Sequence, residues 1–230
     1  MPVKFNKANV KLQKLAKKIG KVIYSFDLPA GKSCPFALEC RSMAVETING
    51  LRIKDGPKCK FRCYAASCEV RLTSVYLAHR ENYRAIKAAK TKNKIAKLLL
   101  DALPRNAQVI RLHSSGDFFT KNYFEAVVMV ARLTPHIRWY GYTKAIKYLV
   151  GRELPPNLKL TASYGGTQDH LIDAHGIKAC LVVRSLAEAK SKKLKVDVND
   201  YLCYNRSKKS FAVLIHGPQP KRHPILAKVK

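Results

Sequence analysis

Apolar residues along the chain fall into short runs and helical stripes that alternate. A first run, Val22 to Leu28 in "KVIYSFDLPAG", reads as a strand stopped by Pro29 and Gly31. Pro35, Asn49-Gly50 and Asp55-Gly56-Pro57 then mark a loop-rich stretch that leaves no room for a long helix between Cys40 and Cys59. From Tyr64 to Leu103 the spacing of Val70, Val75, Leu77, Ile86, Ile95, Leu98 and Leu99 predicts two helices with apolar stripes, ended by Pro104. A strand over Gln108 to His113 runs into the polar loop of "SSGDFF". "KNYFEAVVMVARLT" is an amphipathic helix with Phe124, Val127, Val128 and Ala131 turned inward.

The second half repeats the alternation. "IRWYGYTKA" reads as a strand, a short helix reaches about Val150, and "LKLTAS" is the next strand. "YGGTQDH" carries a glycine pair, a short helix covers Asp169 to Ala174, and "IKACLVV", "SLAEAKS" and "SFAVLIHG" give strand, helical turn and final strand. Strands alternating with helices imply parallel pairing through right-handed crossovers. The expected fold class is α/β, a partial TIM-like (β/α) barrel of about six parallel strands, since a full barrel needs about 250 residues. A doubly wound open sheet is the runner-up. The expected organisation is a basic segment over 1–21, one α/β domain over 22–220 and a basic tail over 221–230.

Charge changes the picture most. A formal net charge of +29 repels itself unless a polyanion relieves it. The cations are blocked: residues 4–21 hold seven lysines and no acid, and residues 84–97 hold six basic residues and no acid. Further clusters lie at Lys190 to Lys195, Arg206 to Lys209 and in the tail. Nucleic acid, DNA or RNA, is the expected partner, met by Lys11, Lys14, Lys18, Arg84, Lys87, Lys90 and Lys94. A solvated basic face is the plain alternative. A membrane surface is another, because "KLQKLAKKIG" would line Leu12, Leu15 and Ile19 along one side of a basic helix. No run approaches the roughly 20 apolar residues of a membrane span, and the N-terminus lacks the apolar core of a secretory signal, so a cytoplasmic protein is expected.

Five of the seven cysteines, Cys34, Cys40, Cys59, Cys63 and Cys68, fall in one loop-rich stretch. In a chain without an export signal, an odd number of thiols argues against a disulfide framework. Zinc wants close pairs; Cys59 and Cys63 supply one, but Cys34 and Cys40 stand wider than the usual knuckle. An iron–sulfur cluster tolerates looser loops and needs three or four thiolates. Five free thiols fit the spacing as well. Cys180, inside a strand, reads as a small buried apolar residue, and Cys203 carries no signal.

"FDLPAGKSCPFALEC", "DGPKCKFRCYAAS", "VIRLHSSGDFFTKNYFEAV", "WYGYTKA", "LTASYGGTQDHLIDAHG" and "FAVLIHGPQP", in this order over about residues 22 to 220, resemble the phage gene 88 protein family. That family has cysteines where Cys34, Cys40 and Cys63 stand, so the resemblance implies these three as metal ligands, with Cys59 and Cys68 as additions. The motif order is also distantly similar to radical-SAM-like phage proteins. There a cysteine cluster follows the first barrel strand, and an acidic "SD-x-F" loop and an "LTK" strand end come after it. Here "SGDFF" and "YTK" take those places. The likeness implies a 4Fe-4S cluster, S-adenosylmethionine (SAM) as a second cofactor, and Gly116 and Asp117 holding the amino group of its methionine part.

Position agrees with that reading, since chemistry in parallel barrels collects at the carboxyl ends of the strands. Ser115, Gly116 and Asp117 end the second strand, Thr143 and Lys144 the third, Ser163 the fourth and His216 the last. The expectation is a phage iron–sulfur, radical-SAM-like enzyme acting on nucleic acid or a nucleotide in the host cytoplasm. Ser115, Gly116, Asp117, Thr143 and Ser163 would bind cofactor, and Asp117, Lys144 and His113 would carry the chemistry. Two alternatives stand beside it: a non-catalytic nucleic-acid-binding protein stabilised by iron–sulfur or zinc, and a metal-free hydrolase or nuclease using Asp117, His113 and Lys144. Plainer roles are open too: a structural His113, Asp117 or Asp169 as a helix cap, Gly165-Gly166 as a tight turn, and Trp139, Tyr140 and Tyr142 as core. Asp169 with His170 could also form an acid–base pair.

Overall fold

The computed structural model describes residues 2–205, 207 and 209–220. The tail over 221–230, and Arg206 and Lys208 of the late basic cluster, lie outside the described residues. The chain opens with β1 (Asn6–Lys7), α1 (Val10–Ile19) and β2 (Ile23–Phe26), then a hairpin, β3 (Ser42–Thr47) and β4 (Gly50–Asp55). Three helices follow, α2 (Tyr64–Arg71), α3 (Thr73–Ala89) and α4 (Lys92–Asp101). Then come β5 (Val109–Leu112), α5 (Lys121–Leu133), β6 (Arg138–Thr143), a 3-10 turn at Ile146–Tyr148 and β7 (Leu158–Ser163). The chain ends with α6 (Asp169–Ala174), β8 (Ala179–Val183), α7 (Leu186–Ser191), α8 (Tyr201–Tyr204) and β9 (Phe211–Leu214).

The main sheet has seven strands in the order β1-β2-β5-β6-β7-β8-β9. The last six are parallel to one another and lie in chain order, with the β3–β4 hairpin and three helices inserted between β2 and β5. That order has no reversal, which a doubly wound sheet would require. The sheet does not close. Closure would pair β9 with the outer edge of β2, and antiparallel β1 already holds that edge through Asn6 opposite Ser25 and Lys7 opposite Tyr24.

Alternation along the strands sorts the core onto two faces. Phe26, Ile110, Leu112, Trp139, Leu158 and Leu160 pack with Ile86 of α3, Ile95 and Leu99 of α4, and the buried stripe of α5. Phe124, Val127, Val128 and Ala131 are all buried in that stripe, as their spacing predicts. Thr120 caps α5 by accepting from Tyr123 N. On the opposite face Ile23, Val109, Tyr140, Cys180 and Phe211 meet Leu12 and Leu15 of α1 and Cys203 of α8. The apolar stripe of α1 is therefore spent on the sheet and offers nothing to a membrane. Among the described residues no helix is long and apolar enough to cross one.

Three local expectations change. Residues 64–103 make three helices rather than two, because Leu72 adopts extended backbone (φ −126°, ψ 95°) between α2 and α3. Leu77 points outward, 49% exposed. The loop-rich stretch contains β3 and β4, whose buried side is built from the small Ser42 and Ala44 and so leaves little apolar signal.

The second face also buries charge. Arg111 donates to Asp200 Oδ2 (2.8 Å) and to Leu112 O, and Lys11 Nζ meets Asp200 Oδ1 at 2.7 Å. Burial alone would raise the Asp200 carboxyl, but Arg111 and Lys11 outweigh it and hold it at about 2. A depressed carboxyl stabilises the fold above its unfolded value of about 4, and the contribution is lost as pH falls toward about 2. Asp200 sits at φ +63°, a conformation that Asn tolerates best among the larger residues. Asp200→Asn therefore removes charge without adding backbone strain. It is expected to cost about 3 kcal/mol at neutral pH by leaving Arg111 buried and unpaired, and to flatten the acid limb of stability, as read by urea unfolding between pH 7 and 2.5 (about the range set by the two values).

Candidate active site at the carboxyl ends of the strands

Residues 29–63 leave β2 and lie across the carboxyl edge of the sheet. The turn that starts them needs Gly31: its φ is +66°, and a Cβ there would meet Ser42 O at 2.5 Å. Ser33 N and Oγ then donate to Pro29 O. Farther on, Leu38 N and Glu39 N donate to Gly165 O (3.1 and 3.0 Å), just past β7, and Thr167 N donates to Phe36 O. At the far end Arg62 and Gln219 exchange two hydrogen bonds, Arg62 N to Oε1 (2.8 Å) and Nε2 to Arg62 O (3.1 Å). The cysteine segment thus reaches from the first parallel strand past the fourth to the chain beyond the last.

Cys34, Cys40 and Cys63 come together electrostatically within this segment. Burial pushes the Cys34 thiol well up, and Asp117, Cys63 and Cys40 push it further. Burial raises Cys40, with Lys144 opposing and Cys59, Asp117 and Glu39 adding to the rise. Burial, then Cys40, pushes Cys63 up to about 12. Cys59 also lies within electrostatic reach of Cys40, but its Sγ donates to Phe61 O (3.0 Å) and lies 3.4 Å from Ser42 Oγ, and Cys68 lies 3.9 Å from the Arg71 guanidinium. All five are free thiols. Among the described residues no three His, Cys, Asp or Glu converge on one ion. A tetrahedral zinc would need its sulfurs about 4 Å apart around one centre. A cluster makes a looser demand, because each thiolate takes its own iron.

The remaining wall is a row of strand ends tied side to side. Asp117 is buried, and its carboxylate accepts from Phe118 N (2.7 Å), Thr143 Oγ1 (2.6 Å) and Lys144 N (2.7 Å). Burial pushes this carboxyl up, and those donors oppose the shift. The Lys144 ammonium donates to Ser163 Oγ (2.8 Å), Ser163 O (3.2 Å) and Tyr164 O. Ser115 N donates to Asp27 Oδ1 and Ser115 Oγ to Glu69 Oε1. Gly116 has φ +89°, and a Cβ there would lie 2.5 Å from Ser33 Oγ and 2.6 Å from Leu28 Cβ. The room its missing side chain leaves is filled by the start of the cysteine segment.

Ser115, Gly116, Asp117, Thr143, Lys144 and Ser163 therefore form one connected wall beside Cys34 and Cys40. His113 lies at the end of β5 with φ +60°. Its Nε2 is 2.8 Å from Tyr123 OH, its Nδ1 is buried without a hydrogen-bond partner among the described residues, and burial, helped by Arg111, lowers it to about 3, so the ring is neutral in the physiological range. Asp169 opens α6 and accepts from Gly165 N and Gly166 N, while His170 is exposed. His216 stacks on Tyr64 at 4.8 Å. Of the basic residues, Lys11 is held by Asp200 and Lys18 lies over the Tyr201 ring, whereas Lys14, Arg84, Lys87, Lys90 and Lys94 are exposed.

Sequence reasoning passed over Asp27, Glu69 and His79. Glu69 Oε1 accepts from Ala30 N (2.9 Å) and Ser115 Oγ (3.1 Å) and lies 2.8 Å from His79 Nδ1, joining α2 and α3 to the ends of β2 and β5. Only Asp27 left a readable signal, an acid directly after an apolar strand.

Enclosure of the thiols has a chemical consequence, since the thiolate is the nucleophile. With Cys63 at about 12 against an ordinary 9.0, its thiolate at pH 8 is scarcer by about three orders of magnitude. In metal-free, reduced protein, iodoacetamide is expected to label Cys63 about a thousandfold more slowly than in the same protein unfolded in urea. Peptide mapping reads the two rates, and similar rates would place the Cys63 thiol in solvent.

No curated protein and no solved structure matches this chain. A family match covers residues 3–227, which takes in the cysteine segment and every strand of the main sheet. By that match the chain belongs to the Gene product 88 family.

Proposed function

We propose that the protein is an iron–sulfur, radical-SAM-like enzyme that acts on nucleic acid or a nucleotide, and that its open sheet is a partial TIM-like barrel. One observation carries the proposal. Cys34, Cys40 and Cys63, whose thiols act on one another, gather where the first of six sequentially ordered parallel strands ends. Carboxyl ends of parallel strands are where such folds collect their chemistry. A cluster on these three thiolates would be 4Fe-4S with one iron open, and the chemistry it supplies when bound is one-electron transfer to a sulfonium such as SAM. The chain's own part is positioning. Asp117 holds Thr143 and Lys144, and Lys144 keeps an ammonium next to Cys40 while binding Ser163. A ligand ammonium at Asp117 would replace the Thr143 hydroxyl, the one side-chain donor among its three.

A non-catalytic role, in which the metal only ties down the cysteine segment on a nucleic-acid-binding protein, is favoured by one feature. Leu28 and Ser33 fill the space beside Gly116 where a cofactor would approach. The metal-free hydrolase has the least support, because burial holds His113 at about 3, which makes it a very weak base, and the Lys144 ammonium is fully engaged.

Anaerobic purification with iron, sulfide and zinc analysis tests the proposal. Wild type is expected to be brown with iron and sulfide in similar amounts, Cys63→Ser to lose both, and reduced wild type to cleave SAM. Iron without cleavage would leave the non-catalytic role. Zinc alone, or no metal, would overturn the cluster.

A further inference from the structure

The cysteine segment meets a basic helix face. On α3, Arg80, Arg84 and Lys87 follow one another at i, i+4 and i+7, which puts their charges on one side, about 6 and 4.5 Å apart along the axis. Lys32, two residues before Cys34, lies within electrostatic reach of all three, and its ammonium is 5.6 Å from the Tyr83 ring on the same side of α3. Lys32, Arg84 and Lys87 are exposed and form no ion pair among the described residues. The acid of this helix that does pair, Glu81, is taken by Lys4. Elsewhere Lys60, Arg62, Lys97 and Arg152 each have a carboxylate. Glu46 is the one acid within electrostatic reach of Lys32, and it accepts from Tyr76 OH, so three cations in a row on this face, beside the start of the candidate site, face a single carboxylate among the described residues.

We infer that Lys32, Arg80, Arg84 and Lys87 form the binding site for the phosphates of a nucleic-acid strand and lead it to the mouth lined by Cys34. A row of cations along one helix face matches a strand's row of phosphates and needs no particular base. A lipid surface fits less well, because the apolar side of the basic helix α1, Leu12 and Leu15, is buried on the sheet. The inference deepens the nucleic-acid reading above, but binding can be measured without the cluster.

The test compares two full-length variants that each lose three exposed cations: Lys32→Ala/Arg84→Ala/Lys87→Ala, and Lys190→Ala/Lys192→Ala/Lys195→Ala around α7. Fluorescence anisotropy with a short labelled single-stranded DNA, and the same sequence as RNA, is read over a salt series. The first variant is expected to bind at least about tenfold more weakly and to lose about 2 from the slope of log affinity against log salt. The second is expected to stay within about threefold of wild type. Equal losses in both would mean that charge acts diffusely, and no loss in the first would remove this face; either overturns the inference, as would phosphatidylserine vesicles competing as well as nucleic acid. Melting temperature guards against misfolding. Iron is assayed in parallel: the first variant is expected to keep wild-type iron, and iron missing from wild type would count against the cluster while the binding comparison still decides this face.

Discussion

The buried carboxylate of Asp117 is the interaction on which the site depends. Three donors from two successive strand ends converge on it, and Lys144 carries the connection to a third through Ser163 and Tyr164. Glu69 and Asp27 extend the row the other way, to the end of β2, through Ser115. Four neighbouring strands are thereby fixed at the edge where the cysteine segment attaches. Each such bond is modest on balance, but leaving a buried donor or carboxylate unpaired costs about 1–3 kcal/mol or more. The row is therefore stable only when complete, and it holds the wall facing Cys34 and Cys40 in one arrangement.

The same economy of acids shapes the surface. The chain has 15 acidic residues against 44 lysines and arginines, and Asp27, Glu69, Asp117, Asp197 and Asp200 are all buried. Acids used for internal ties contribute little screening outside. The exterior is more cationic than the formal charge of +29 alone suggests, and clusters such as the α3 face go largely unneutralised by the protein itself.

Much of the frame was legible because the parallel strands are buried on both sides and read as apolar runs. Val109 to Leu112 and Leu158 to Ser163 needed no context, and the stripe of α5 declared itself through Phe124, Val127, Val128 and Ala131. Elements with little apolar content were not legible: β1 is two residues long, and β3 buries only Ser42 and Ala44. Site residues were found where they interrupt an apolar pattern at a strand end, as Asp117 and Lys144 do. Glu69 and His79 were missed because each sits on a helix whose spacing looks ordinary, and only the fold brings them to Ala30 and Ser115.

The wide spacing of the three cysteines also has a structural account. Between Cys40 and Cys63 the chain makes an antiparallel hairpin whose base pairs Ser42 with Asp55, so the intervening residues leave and return at nearly one point. Gly56 N donates to Arg41 O and Lys60 N to Glu39 O, which closes the base against the residues flanking Cys40. Cys63 N then donates to Ser42 Oγ, setting the third thiol beside the second. With the hairpin treated as an insertion, Cys34, Cys40 and Cys63 belong to one short continuous loop after the first parallel strand. Distance along the sequence therefore says little here about whether three thiolates can serve one cluster.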